Sequence, residues 1–118
     1  MYGKDHRSET LLGEFGSALT PEERPLIFTK CAPQPQRIGR KVMFDAGRDS
    51  AKRLGVDKLD MLQLHWPPSP ALWQEEEYIQ GMADLVERNG ATQIAVSNYG
   101  PEERPLIFTK CAPQPQRI

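Results

Sequence analysis

Apolar positions along the chain follow two alternating patterns. After Ser8, the residues Leu11, Leu12, Phe15 and Leu19 recur at helical spacing. Ser8 suits an N-cap, and Glu9 places negative charge where the helix dipole favours it. A helix is therefore expected from Ser8, weakened at Gly13 and Gly16 by up to about 1 kcal/mol each. A polar connector over 21–25 then gives way to Leu26-Ile27-Phe28-Thr29. A continuous run of this kind predicts a strand buried on both faces, as in a parallel sheet. The run ends at Lys30-Cys31. Segment 32–36 holds two prolines and continues neither a strand nor a helix.

The alternation then repeats. Ile38, Val42, Ala46 and Leu54 share a face and predict a second helix over 38–54, with Gly47, a weak helix former, in its middle. Lys and Arg stand in its last turn and Gly55 in the cap position. Leu59-Asp60-Met61-Leu62-Gln63-Leu64-His65-Trp66 reads as a strand, closed by the rigid loop 67–70. Tyr78, Ile79, Met82, Leu85 and Val86 form an apolar stripe that predicts a third helix over 71–89, with Gly90 closing it. The last strand is 92–96, followed by Ser97-Asn98-Tyr99-Gly100. Strands that alternate with helices imply a parallel α/β sheet with crossover helices. Function in such sheets gathers at the carboxyl ends of strands. Three places follow: Thr29-Lys30, His65-Trp66 and Ser97-Asn98.

Residues 101–118 break the pattern, because they repeat 21–38 letter for letter. The second copy follows strand 92–96 across a short polar turn, whereas a parallel return takes about ten or more residues and usually a helix. The copy is expected as an irregular tail or an edge strand, outside a main unit of residues 1–100. It is expected to fold back antiparallel, stay loose or dock on another molecule. As an apolar edge it carries an aggregation risk. Eighteen residues without drift mark the duplication as recent or artificial. An offset of 80 residues is too long for a solenoid repeat.

Composition narrows the function classes. The formal net charge is −1 with both signs scattered, so nucleic acid is a poor partner. No apolar run approaches the roughly 20 residues that span a membrane, and the polar first ten residues hold no signal-peptide core. Cys31 and Cys111 are one residue in two copies, which argues for a reducing compartment. Cys31 beside Lys30 reads as a redox-sensitive thiol or, more simply, a buried one. Zinc spacing is absent.

His65 reads either as a hydrogen-bonded strand-end histidine or as a donor that polarises a carbonyl. Lys30 reads either as a solvated lysine or as a cation that lowers a neighbouring acid's pKa. Tyr2 alone is a loop tyrosine. Together the three make an acid–base set of proton donor, tuning cation and orienting group.

The order of several short motifs is distinctive. Tyr2-Gly3, Ser8-Glu9, Leu12-Gly13, Phe28-Thr29-Lys30, Ser50, Arg53-Leu54-Gly55, Asp57, Asp60, Gln63 to Pro67 and Val96 to Tyr99 follow one another over residues 2–99. In this the chain resembles the aldo-keto reductase family, and most of all its plant and algal members. The resemblance implies a (β/α)8 barrel of the TIM type, of which this chain supplies about three βα units. It implies NADPH as cofactor and a small carbonyl compound as substrate. By motif match Tyr2 is the general acid, Lys30 its pKa partner and His65 the substrate-orienting residue. Ser97 and Asn98 hold the nicotinamide carboxamide, and Trp66 lines the substrate pocket.

The family's catalytic aspartate lies a few residues before the tyrosine, in a strand this sequence does not contain. The later strands with the phosphate and adenine contacts are likewise not in it. The expectation is a reductase fragment without turnover of its own. The alternative is a non-catalytic partial barrel that acts through self-association at open sheet edges, or an artefact of gene prediction. The expected compartment is the cytoplasm or a plastid.

Overall fold

The computed structural model describes residues 4–68 and 74–100. A 3-10 turn, Lys4–His6, leads into α1 (Arg7–Ser17). There follow β1 (Phe28–Cys31), α2 (Arg40–Leu54), β2 (Leu59–Leu64), α3 (Glu75–Glu87) and β3 (Ala91–Val96). The strands form one parallel sheet in the order β1-β2-β3. The expected alternation and parallel pairing are both present. Tyr2, the expected start of the third helix near residue 71 and the repeat at 101–118 lie outside the described residues.

Register sorts the strand residues into two faces, because side chains alternate along a strand. Thr29, Leu62 and Ile94 align in one row, and Cys31, Leu64 and Val96 in the next. These rows face the helices. Leu62 and Leu64 are wholly buried, and so are Met43 of α2 and Tyr78, Met82 and Leu85 of α3. Each such aliphatic or thioether side chain contributes roughly 1.5–3 kcal/mol on burial. The opposite face carries Phe28, Met61 and Gln93, then Lys30, Gln63 and Ala95, all exposed or half-buried.

The stripe of α3 packs as expected. Its Tyr78 hydroxyl donates to the Arg37 carbonyl at 2.5 Å and so holds the loop before α2. α2 ends at the expected cap, Gly55, in the left-handed region. It starts two residues later than expected, because Gly39 (φ 90°) breaks the helical path and leaves Ile38 outside, exposed.

Two expectations fail. The apolar face of α1 is not its buried face: Leu11, Leu12 and Phe15 are exposed, while Gly13 and Gly16 are buried. α1 meets α2 backbone to backbone. A Cβ on Gly13 would lie 2.5 Å from the Arg53 carbonyl oxygen and 2.9 Å from the Leu54 carbonyl carbon. The glycine that costs helix propensity is thus the residue that permits the contact. The segment 26–29 is likewise not buried on both faces, since Leu26 is 74% and Phe28 55% exposed. The strand begins at Phe28 because the Ile27 amide donates to Asp60 Oδ2 at 2.8 Å. The helices cover only one face of β1, and the sheet order places it at an edge.

Polar contacts hold this thinly packed edge. The Thr29 hydroxyl donates to Glu9 Oε1 at 2.5 Å, and Arg53 Nε donates to Glu9 Oε2 at 2.5 Å. Arg53 Nη2 also donates to Ser50 Oγ at 3.1 Å. Burial works to raise the Glu9 pKa, but the hydrogen bonds from Thr29, Arg53 and Ser50 and the Arg53 charge outweigh it. The carboxyl stays below its ordinary value of 4.5.

Two outcomes are expected. Gly81 faces α2, where a Cβ would run into the Arg40 carbonyl oxygen. Gly81→Ala should cost about 1–3 kcal/mol in urea unfolding; a variant as stable as the parent would mean that the helices do not cross this closely. Because the folded Glu9 pKa is depressed, its stabilisation is complete above pH 4.5 and is lost as pH falls through the lower folded value. Urea midpoints should therefore drop on acidification below that point, and Glu9→Gln should flatten the drop. An unchanged acid slope in the variant would remove Glu9 as its source.

Candidate active site at the carboxyl ends of the strands

The carboxyl ends of the three strands lie side by side because the ladder continues past each strand. The His65 amide donates to the Cys31 carbonyl at 3.0 Å, and the Ser97 amide to the Leu64 carbonyl at 2.9 Å. Alternation puts Lys30, His65 and Ser97 on the sheet face turned away from the helices.

Lys30 is exposed on that face, opposite Gln63. His65 is half-buried. Partial burial lowers its pKa below 6.5, and the Lys30 charge pushes it further the same way. At neutral pH the imidazole is accordingly neutral, with one N–H to donate. Trp66 stacks beside it in a tilted arrangement, with ring centroids 4.3 Å apart.

Asn98 closes the group. It adopts a left-handed backbone (φ 62°), which Asn tolerates better than most residues. The turn aims its amide nitrogen back at the sheet, where it donates to the His65 carbonyl at 2.6 Å and to Ser97 Oγ at 3.1 Å. The backbone of His65 is thereby fixed from both sides, by Cys31 and by Asn98.

A cleft of about 1050 Å³ opens beside the outer edge of β1 and reaches Lys30 and His65. Glu9, Leu12, Phe28 and Arg53 are among its walls. Next to it, Arg37 Nη1 donates to Cys31 Sγ at 2.5 Å and to the Ala32 carbonyl at 2.8 Å. Burial pushes the Cys31 thiol up, and the Arg37 charge offsets only part of that. The thiol stays protonated, so Cys31 is a buried thiol and Lys30 does not activate it. Among the described residues no cluster of His, Cys, Asp and Glu could hold a metal ion.

Of the six site residues expected from sequence, five fall within the described residues: Lys30, His65, Trp66, Ser97 and Asn98. All five stand at the strand ends; Tyr2 lies outside. Sequence reasoning did not see that Glu9, Thr29, Ser50, Arg53 and Asp60 are the polar residues that hold β1. All five stood among the motif letters, and nothing in their spacing joined them.

Known proteins resemble the chain in sequence and in fold. A sequence model described as the Aldo/keto reductase family matches residues 1–113. The chloroplastic pyridoxal reductase of Arabidopsis thaliana is 34% identical over 102 residues, which are 82% of this chain and 28% of that protein. The 2,5-diketo-D-gluconic acid reductase B of a Corynebacterium strain is 32% identical, over 80% of this chain and 34% of its own length. A solved aldo/keto reductase from Klebsiella pneumoniae, in complex with NADP and acetate, superposes with a TM-score of 0.69 at 28% identity. It covers 86% of this chain and 33% of that one. A thermostable aldo-keto reductase superposes with a TM-score of 0.78 at 25% identity, over 92% of this chain and 38% of that one. The chain thus spans about a third of the length of the proteins it matches. Its three parallel strands with their covering helices have the fold of one segment of such a TIM barrel. The chain belongs to the aldo/keto reductase family.

Proposed function

We propose that these residues form one wall of the active site of an NADPH-dependent carbonyl reductase. The observation that carries the reading is that His65 and Lys30 line one cleft at the strand ends, with His65 tied through its own carbonyl to Asn98. Bound NADPH would supply the hydride to the carbonyl carbon of a small aldehyde or ketone. Tyr2 would give the proton to the carbonyl oxygen, with Lys30 lowering the tyrosine pKa. The neutral His65 N–H would orient that oxygen, and Trp66 would bound the substrate pocket. Ser97 and Asn98 fit a carboxamide, which needs one donor and one acceptor. With the Asn98 amide nitrogen engaged, its Oδ1 is the atom able to accept. The NADP seen in the Klebsiella pneumoniae enzyme supports the choice of cofactor. A single cysteine, Cys31, repeated only as Cys111 in the duplicated segment, favours a reducing compartment, the cytoplasm or a plastid, and among the described residues no helix is long and apolar enough to cross a membrane.

In this reading the chain alone does not turn over. A closed barrel takes eight strands, and the described residues provide three, so the site stays open to water. NADP⁺ titrated into the labelled chain should move the amide resonances of His65, Ser97 and Asn98. Shifts confined to other residues would sink the site. In an NADPH-oxidation assay with a simple aldehyde, no turnover is expected. Turnover that disappears in Tyr2→Phe would show that the chain suffices.

The exposure of Leu26 and Phe28 beside the edge of β1 favours a second reading, self-association. The repeat at 101–118 carries the same strand-forming letters as β1 and would serve as the added strand, in a head-to-tail contact that propagates. Sedimentation should then show growth in mass with concentration; a folded monomer at every concentration rules it out.

A further inference from the structure

Lys30 sits on a short strand at one edge of the sheet. β1 has four residues, and Phe28 and Lys30 are exposed. Apolar burial therefore fixes its position only weakly. What fixes it is a set of directional contacts on the helix face. The Thr29 hydroxyl, one residue before Lys30, reaches Glu9 Oε1 at 2.5 Å. Glu9 Oε2 takes the Arg53 Nε hydrogen at 2.5 Å, and Arg53 is braced on Ser50 Oγ. The Glu9 and Arg53 side chains are only 14% and 27% exposed.

A largely buried ion pair is a poor source of stability. Apolar side chains of similar volume often do as well or better. Its particular property is direction, since each oxygen of the carboxylate is committed to a different element. One oxygen holds β1 and the other holds α2. The carboxylate itself belongs to the first turn of α1, seven residues after Tyr2 in the sequence. The close approach at Gly13, one turn later, brings α1 onto the Arg53 and Leu54 backbone. Glu9 is thus the point where the helix after Tyr2, the strand bearing Lys30 and the helix bearing Arg53 meet.

We infer that Glu9 is a positioning residue, whose carboxylate fixes the place of Lys30 relative to His65. The inference rests on the reading of Lys30 and His65 as one acid–base site, and it adds a residue to which that reading gave no role. Ile27 is held independently by Asp60, so the strand is pinned at two points on the amino-terminal side of Lys30. Losing the Thr29 pin frees the end nearer the lysine.

The test is an NMR titration of the His65 imidazole in the full 118-residue chain, with circular dichroism to confirm the fold. Lys30→Met removes the nearby positive charge and should raise the His65 midpoint. Thr29→Val keeps the shape of the side chain and the Glu9–Arg53 pair but deletes the hydroxyl. It should reproduce most of the Lys30→Met shift, because an unpinned lysine no longer stands beside the imidazole. Glu9→Ala should do the same, while Glu9→Gln, whose one carbonyl oxygen can still accept from Thr29, should hold the midpoint nearer the parent. If Glu9→Ala does not fold, Thr29→Val decides. A folded Thr29→Val chain with the parent midpoint, alongside a shifted Lys30→Met chain, overturns the role of Glu9 and leaves the site reading standing. An unchanged midpoint in Lys30→Met overturns the site reading itself, and the role of Glu9 with it.

Discussion

The carboxyl end of the sheet depends on β2 being paired on both sides. Its ladder to β1 sets Lys30 opposite Gln63, and its ladder to β3 sets Ala95 there too. Carried one step further, the same ladders bring the amides of His65 and Ser97 onto neighbouring carbonyls. Register is fixed because Leu62 and Leu64 must point at the helices. A slip of one residue would turn Lys30 toward the core and Thr29 toward the open face, at the cost of burying an ammonium. The face on which the site residues stand is therefore a consequence of two buried leucines. Asn98 adds the remaining restraint, holding the His65 carbonyl from the side that the ladder leaves open.

How legible this was in the sequence depended on the distance over which each feature is decided. The stripe of α3, the cap at Gly55 and the strand of β2 are decided within a few turns or residues, and periodicity read them correctly. The strand ends were legible for the same reason: a polar residue after an apolar run marks a carboxyl end, and Lys30, His65 and Ser97 all do. The face of α1 is decided elsewhere. Leu11, Leu12 and Phe15 look like a core face, yet the helix is drawn in by Gly13 against the backbone of Arg53 and Leu54. The burial of Leu26 and Phe28 depends on what lies beside β1, which no local pattern records.

The residues that hold Lys30 were illegible for a related reason. Glu9 lies 20 residues from Thr29 and 44 from Arg53. Each alone reads as an ordinary polar position on a helix or strand. Only the fold shows that their side chains converge and that the carboxyl is kept ionised by three donors. Family motifs preserved the letters Ser8-Glu9, Ser50 and Arg53 without stating why they belong together. The closed hydrogen-bond set supplies that reason in physical terms.

The duplicated segment sharpens the point. Leu26-Ile27-Phe28-Thr29-Lys30-Cys31 and its copy from Leu106 to Cys111 have the same propensities. What makes a strand of the first is external to it: the Asp60 carboxylate that stops the ladder at Ile27, the edge of β2 from Met61 to Leu64, and Glu9 at Thr29. Those partners are single, and the first copy holds them all. The edge of β2 accepts one neighbour on that side, and Glu9 has one oxygen for one threonine. Identical letters therefore do not bring identical chemistry. Lys30 is a candidate site residue because Thr29 is tied to Glu9 and Cys31 is paired with Leu64. Strand propensity proposes a segment, and the partners already in place decide which segment becomes part of the sheet.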